Sequence, residues 1–409
     1  MTVWDSLIGQ EEPLQEFKDA AVAAAQTPAG PEMTHAWLVT GPPGSGRSVA
    51  ARSFAAALVC PDAGCGECVD CQDALAGRHP DIEMVTPEGV SYKTADAREL
   101  VTKASIAPLR AKWHILVVED ADRLTETANN VLLKAIEEPS SSIVWILCTP
   151  SAEDVLPTVR SRCRLVRLTT PETQAIADYL ATVEGLDEAT AVFAAQAAQG
   201  HVGRARALAL DAGVRERRNK VLRFPSELGD LGSCLRAAQD LAETAKADAV
   251  AATESQDQKE LADLAQAWGE GAEGRGVRGG ARGLKSAQKE LEDRQKSRRN
   301  RMERDELDRA LLDLLGYYRD VIRIQVEGSE GAEGSTTELI NGEHRVEIEH
   351  AARTSTPGDT LGRIEAIERA RQALIANVAP QLALEALAIE LRSPHLRANE
   401  LHNSELAAT

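Results

Sequence analysis

Cys60, Cys65, Cys68 and Cys71 stand in the spacing C-x4-C-x2-C-x2-C. Four soft thiolates this close can surround one zinc ion tetrahedrally, and Gly64 and Gly66 between them permit the tight loops required. Neither an H-E-x-x-H run nor an obvious carboxylate ligand lies nearby. A metal held by four thiolates keeps no position for water, so the predicted role is structural. A second pattern lies just upstream. Gly41-Pro42-Pro43-Gly44-Ser45-Gly46-Arg47-Ser48 follows G-x-x-x-x-G-K-[ST], with Arg47 where the pattern has Lys. Glycines let the backbone turn tightly and aim N–H groups at phosphate oxygens, which the following helix N-terminus favours electrostatically. Gly41, Gly44, Gly46, Arg47 and Ser48 are therefore the candidate phosphate-binding set. A third feature is the apolar run Ile115–Val118, which ends in Glu119-Asp120-Ala121-Asp122. Acids at the end of such a strand hold magnesium and orient water in phosphate-loop proteins, in the usual order Asp then Glu; Glu119 and Asp120 reverse it. The run Ile143–Leu147 ends in Cys148-Thr149, and Thr149 could sense a γ-phosphate. The set predicts nucleotide-binding ancestry and leaves present-day ATP and magnesium use a separate question.

These residues need elements to hold them. Trp37-Leu38-Val39 reads as a strand entering the glycine loop, and Val49 to Val59 as the helix leaving it. Ile82 to Val85, Ile115 to Val118, Ile143 to Leu147 and Arg164 to Leu168 read as further strands, the apolar ones as buried parallel strands. Thr94 to Ala104 and Ala128 to Glu138 read as helices, the second stopped by Pro139. Ile8-Gly9-Gln10 precedes a helical pattern and could pack beside a base. His79, before Pro80, fits a turn or capping role better than a ligand role. From Thr170 the chain turns to Ala-rich helices, roughly Pro171–Ala181, Asp187–Gln199 and Val202–Leu210. Beyond Arg215 no strand pattern returns. Gly269 to Gly283 reads as a flexible loop. The charged run Lys285–Arg309 reads as a solvated helix rather than a nucleic-acid contact, because its charges alternate in sign. Glu327–Gly334 reads as a second loop, followed by helices Leu361–Val378 and Pro380–Leu391 and a loosely held tail past Ser393.

At 409 residues the chain has length for two to three domains. Its formal charge of −18 excludes a protein that grips nucleic acid with its whole surface; any DNA contact is local or a partner's. No apolar stretch reaches membrane-spanning length, and no basic segment followed by an apolar run opens the chain. The expected compartment is cytoplasmic, where seven cysteines serve as thiols or metal ligands rather than disulfides.

Together these pieces resemble the bacterial DNA polymerase III clamp-loader family, which is AAA+, and within it the delta-prime subunit. The likeness rests on His35-Ala36-Trp37-Leu38 into the phosphate loop and on the four-cysteine insert after its helix. It continues through His79-Pro80-Asp81, Asn130-Val131-Leu132-Leu133-Lys134-Ala135-Ile136-Glu137-Glu138-Pro139, Ser161-Arg162-Cys163 and Ala376-Asn377-Val378-Ala379-Pro380-Gln381-Leu382-Ala383-Leu384-Glu385. The resemblance implies an α/β P-loop AAA+ core over 1–169 with the zinc insert at 60–71. It also implies a small three-helix lid over 170–212 and an all-α C-terminal collar domain over 213–409. The implied function is a part in a five-membered arc that opens a sliding clamp and places it on primed DNA, with tau/gamma and delta subunits as neighbours. Arg162 is then an arginine finger acting in trans on a neighbour's ATP; a surface ion pair is its alternative use. The family's ATPase subunits carry Lys in the loop and Asp-Glu on the acidic strand, and present a lid arginine where this chain has Gly203, one step before Arg204. These departures favour a delta-prime-type subunit of the polymerase holoenzyme, with weak or absent ATPase of its own, over a tau/gamma-type motor.

Overall fold

The computed structural model describes residues 2–87, 89, 91–268, 280–329 and 339–392. Contacts divide the chain into two compact units, one built on Met1–Pro87 with Ser91–Ala212 and the other beginning at Gly213. The first holds a five-stranded sheet of β1 (Ala36–Thr40), β2 (Ile82–Val85), β3 (His114–Val118), β4 (Ile143–Thr149) and β5 (Arg164–Arg167). All pairs are parallel and the order is β2-β3-β4-β1-β5. Between and around the strands run α1 (Glu11–Ala25), α2 (Arg47–Val59), α3 (Val69–Leu75), α4 (Thr94–Ala104), α5 (Glu126–Glu137) and the single turn α6 (Pro157–Arg160).

The contiguous apolar runs follow from burial on both sheet faces. Alternate residues of β1, β3 and β4 point to opposite layers: Trp37, Val39, Ile115, Val117, Val144 and Ile146 join one core with α1 and α2. Leu38, Leu116, Val118, Trp145 and Leu147 join the other with α4 and α5. Phe17, Trp37 and Phe54 meet at the centre of the first core: Phe17 stacks on Phe54 with centroids 4.6 Å apart, and Trp37 meets Phe54 edge-to-face at 4.8 Å. In register, Thr40 lies opposite Thr149, and Val118 pairs with Leu147, so the carboxyl ends of β1, β3 and β4 gather at one edge. That edge is where open parallel sheets place ligands. Three helices close this unit: α7 (Thr173–Thr182), α8 (Glu188–Ala198) and α9 (Val202–Leu210). Asp187 caps α8 by accepting from the Thr190 N–H at 2.9 Å.

The second unit is helical throughout its described residues: α10 (Ala212–Arg223), α11 (Leu231–Trp268), α12 (Gly280–Ser329), α13 (Arg345–Thr354), α14 (Pro357–Ile375) and α15 (Pro380–Leu391). Its core gathers Leu222, Phe224, Leu311, Tyr318, Ile367 and Leu384 among others. Arg218 is buried within it, bonded to Asn341 Oδ1 at 2.6 Å and paired with Asp313 at 3.4 Å and with Glu343. Two sequence readings change here. The glycine-rich segment expected over 269–283 lies outside the described residues only to 279, because α12 already begins at Gly280; the second expected loop is entered as helix as far as Ser329. The run Lys285–Arg309 is helical but not simply solvated. α12 lies along α11 through a polar seam in which Gln295 is buried and Arg298 pairs with Asp257 and Glu260. Residues 330–338 and the tail from 393 lie outside the described residues.

Candidate functional site

β1 delivers the chain into the glycine loop, and α2 begins at Arg47 directly after Gly46, whose φ of 88° turns the backbone into the helix. Gly44 also has positive φ, and a Cβ there would lie 2.8 Å from the Cβ and 2.9 Å from the Cα of His201. The start of α9 thus sits directly on the loop. His201 is placed by its own helix: its Nδ1 accepts the Arg204 N–H at 3.2 Å and caps α9. Gly203, on the first turn of that helix, offers no side chain to a phosphate.

The candidate phosphate ligands mostly engage one another. The Arg47 guanidinium donates to the Gly41 carbonyl of its own loop. The Ser48 hydroxyl donates to Glu119 Oε2 at 2.7 Å. Burial pushes the Glu119 carboxyl above the usual carboxylate range, and the Ser48 hydrogen bond offsets only part of that. Asp120 has left-handed backbone (φ 48°) and lies 3.8 Å from Arg123. Asp122, next along, is also pushed up by burial, and its Oδ1 is buried with no hydrogen-bond partner. Thr149 is fully buried and donates to the Ser151 carbonyl at 3.1 Å. The fold therefore brings Arg47, Ser48, Glu119 and Thr149 to one sheet edge, but as a self-satisfied cluster.

Two residues the sequence did not single out for these roles hold the cluster. The Tyr92 hydroxyl lies 2.7 Å from the Glu119 carbonyl and 2.8 Å from that of Val85, and so supports the acidic turn from behind. Gln10 is buried beneath the loop: its Nε2 donates to Thr169 O at 2.7 Å and reaches Ser45 O at 3.4 Å, while its Oε1 accepts from Thr169 N at 3.0 Å. Its amide serves backbone groups of Thr169 and Ser45. No spacing rule flags a glutamine that pairs with peptide groups over 150 residues away.

Arg162 follows α6 and is half-exposed. It donates to the Thr158 carbonyl at 2.8 Å and pairs with Glu137 of α5 at 2.5 Å. In the single chain this is the ion-pair use left open by the sequence. Its neighbours are engaged elsewhere: Arg160 reaches Glu153 at 3.9 Å, and Arg164 lies over the Trp37 ring at 5.2 Å.

The four cysteines converge at the far end of α2. Cys60 follows its last residue, Cys68 caps α3, and all four sulfurs lie within 4.8 Å of one another. Cys60–Cys65 and Cys60–Cys68 sulfurs are 3.6 and 3.7 Å apart. Tetrahedral thiolates at a zinc–sulfur distance of about 2.3 Å would sit ~3.8 Å apart, so the cage has the right size. Backbone N–H groups of Asp62 and Cys65 point at Cys60 Sγ, and that of Cys68 at Cys65 Sγ, each at 3.4 Å, as suits thiolate charge. The Glu67 N–H, followed by that of Cys68, lowers the Cys65 thiol to about 7, whereas burial raises Cys68 and Cys71. A bound cation would favour all four as thiolates. The donor set and cage fit a structural metal. The knuckle is tied to the sheet through α3: Arg110 pairs with Asp70 at 2.6 Å and Asp73 at 3.0 Å. His79 closes the turn before β2 by accepting the Asp81 N–H at Nδ1 (3.1 Å), which leaves Nε2–H to donate to Asp70 at 3.3 Å.

Comparison with known proteins gives four findings. Residues 20–172 match the family model described as DNA polymerase III, delta subunit. Over 151 residues the chain is 32% identical to DNA polymerase III subunit delta' of Bacillus subtilis, covering 36% of this chain and 46% of that protein. Over 135 residues it is 36% identical to DNA polymerase III subunit gamma/tau of Mycobacterium bovis, covering 32% of this chain and 23% of that one. The chain thus spans less than half the length of either relative. Among solved structures, a DNA polymerase III gamma subunit-related protein of Thermotoga maritima aligns over 87% of this chain and 93% of its own, at a TM-score of 0.35 and 16% identity.

Proposed function

We propose, for a chain that belongs through residues 20–172 to the DNA polymerase III delta-prime/gamma-tau clamp-loader family, that it acts as a delta-prime-type subunit of a clamp loader. In this reading it takes its place beside tau/gamma and delta subunits in the cytoplasm and helps place a sliding clamp on primed DNA. The P-loop module 1–169, the lid 170–212 and the collar 213–409 are its three parts. It offers Arg162 to a neighbour's ATP, and Cys60, Cys65, Cys68 and Cys71 hold a structural zinc.

The observation that carries the reading is the state of the chain's own loop. Arg47 is folded onto Gly41, and Ser48 is engaged by Glu119. A lysine would present a compact ammonium between β- and γ-phosphates, whereas a guanidinium forks onto acceptors such as this carbonyl. Gly41, Gly44, Gly46, Arg47 and Ser48 remain the groups for any nucleotide phosphate, with Thr149 beside them. Glu119 and Asp120 are the acids for any magnesium. Arg162 suits work in trans because its ion pair is half-exposed, and such pairs contribute only about 0–1 kcal/mol, so a phosphate can displace Glu137. An arginine finger contributes roughly 10³- to 10⁵-fold to turnover. A tau/gamma-type motor is the second reading, kept because gamma/tau relatives match at an identity similar to that of the delta' ones.

ATP hydrolysis separates the two. The purified chain alone is expected to turn over far more slowly than its ATPase partners; equal turnover would overturn the delta-prime reading in favour of the motor. In the assembled complex, Arg162→Ala is expected to lower DNA-stimulated ATPase while Arg160→Ala and Arg164→Ala do not. A silent Arg162→Ala would remove the finger.

A further inference from the structure

Two connections run between the cysteine knuckle and the phosphate loop. One is α2, which starts in the loop at Arg47 and runs straight into Cys60. The other is the segment Val3–Gln10. Its first end is seated in the knuckle. Val3 N donates to the Gly64 carbonyl at 3.2 Å, and Val3 and Trp4 are buried. Gly64 has a φ of +107°, and a Cβ there would stand 2.7 Å from Val3 Cγ2 and 2.9 Å from Trp4 Nε1. The glycine is therefore required both for the turn between ligands and for the strap that lies on it. Midway, Ser6 Oγ lies 3.3 Å from Ser53 Oγ on α2, and Leu7 packs on the same core. The second end is Gln10, 3% exposed, whose amide pairs with both the N–H and the carbonyl of Thr169 and also reaches Ser45 O. Ser45 belongs to the phosphate loop, and Thr169 lies between β5 and α7, where the sheet hands the chain to the lid.

We propose that the metal knuckle is the far anchor of the Val3–Gln10 strap, and that Gln10 is a positioning residue that sets the phosphate loop and the lid junction together. The strap contains no helix or strand of its own before α1. Its course is therefore fixed by its two ends, the turn in which Leu7 N donates to Trp4 O at 3.0 Å, the Ser6–Ser53 contact and the packing of Leu7, against the entropy of ordering an irregular segment. Releasing the knuckle end lets that entropy act on Gln10, and Thr169 N loses its acceptor. The knuckle thereby acquires a task beyond local folding: it keeps loop and lid in one register, whether or not nucleotide is bound.

Hydrogen exchange read by mass spectrometry on the zinc-loaded full chain tests this without relying on activity. Gln10→Ala is expected to speed exchange of the Thr169 amide by about fivefold or more, the loss of one net hydrogen bond, with a parallel rise over Gly41–Gly46. The Val3–Trp4 amides should stay protected in that variant. Gly64→Ala, and wild type stripped of metal by a chelator, are expected to speed exchange over Val3–Gln10 and at Thr169 alike. Val3→Ala should give the same pattern more weakly, and it keeps the knuckle backbone in case Gly64→Ala does not fold. Loosening confined to Cys60–Cys71 and Val3, with Thr169 unchanged in the stripped protein and in Val3→Ala, would overturn the proposal. So would a Gln10→Ala chain whose Thr169 and loop amides exchange at the wild-type rate.

Discussion

The Asp81 carboxylate, buried beside the knuckle, accepts three successive backbone N–H groups: Leu109 at Oδ1, and Arg110 and Ala111 at Oδ2 at 2.8 and 2.7 Å. Burial works to raise this carboxyl, but the three donors outweigh it and the net shift is downward. A folded-state value below the unfolded ~3.9 means the stabilisation is complete above about pH 4 and is lost as pH falls through the lower folded value. Asp81→Asn removes one acceptor oxygen and turns an NH2 toward the donors, at a cost of about 1–3 kcal/mol. Urea unfolding at pH 7 should show that cost, and the gap to wild type should narrow at pH 3; a gap independent of pH would refute the carboxylate account. At the phosphate loop the relevant residues are Arg47, Glu119 and Asp120. Introducing lysine and the usual acid order with Arg47→Lys, Glu119→Asp and Asp120→Glu should raise ATP turnover above the slow rate proposed for the chain, since misplacement of about 1 Å can cost ~100-fold. No rise in a steady-state assay would show that loop geometry is not what limits it. Spacing alone put these residues forward as candidates. Their engagement could not be read that way: whether Arg47 faces a phosphate or the Gly41 carbonyl depends on backbone three-dimensional geometry that spacing does not encode.

At the scale of elements, legibility followed burial. β1, β3 and β4 are apolar on both faces and could be read directly, as could α4 and α9, whose apolar spacing is regular. α3 was not anticipated, because its seven residues are ordered by the cysteine cage and by Arg110 rather than by an apolar stripe. The α11–α12 pair was hidden for a related reason. Away from the core its seam is polar: Thr253, Asp257 and Gln295 are buried there, and charged sequence reads as solvated sequence. Arg298 is the centre of that seam, donating to Asp257 and, through two nitrogens, to Glu260 at 2.8 and 2.7 Å. Its hydrogen bonds are the largest influence on Glu260 and hold that carboxyl down at about 2. Breaking a part-buried cluster costs more than breaking an exposed pair, and removing the arginine leaves Asp257 with Arg299 alone and Glu260 with a neutral Gln295 donor in place of its cation. Arg298→Ala is expected to cost about 1–3 kcal/mol of local stability. Hydrogen exchange should quicken along Ala249–Leu264 and Ser286–Arg304 but not around Leu311 and Tyr318. Wild type should lose the same protection as pH falls from the ordinary glutamate range toward 2. Uniform quickening across α12 would mean that the seam is not a separate cooperative segment.

For the whole molecule, the two units carry separate cores, and only the first contains the cysteine cage. In isolated zinc fingers the metal contributes apparent binding energies of roughly 10–16 kcal/mol and is the condition for folding. Here the cage sits at the end of α2, whose Phe54 already packs against Phe17 and Trp37 in a large core, so the sheet does not depend on the metal in that way. The expected consequence is partial. Elemental analysis should find one zinc per chain, lost in Cys68→Ser because three remaining thiolates leave an open ligand position. Calorimetry of the full chain should resolve two transitions. Loss of metal should lower the one assigned by hydrogen exchange to the sheet by about 10 °C, as a destabilisation of a few kcal/mol does in a unit of this size. The transition belonging to α10–α15 should stay in place, because its core is a cluster of its own, whereas Cys60 and Cys71 of the cage join the core of the sheet unit. A single transition that moves as a whole would show that the units unfold as one, and an unmoved sheet transition would reduce the knuckle to a local ornament. The second outcome would also remove the ground for a strap anchored at Gly64, since an anchor whose loss costs nothing cannot be holding Gln10 in place.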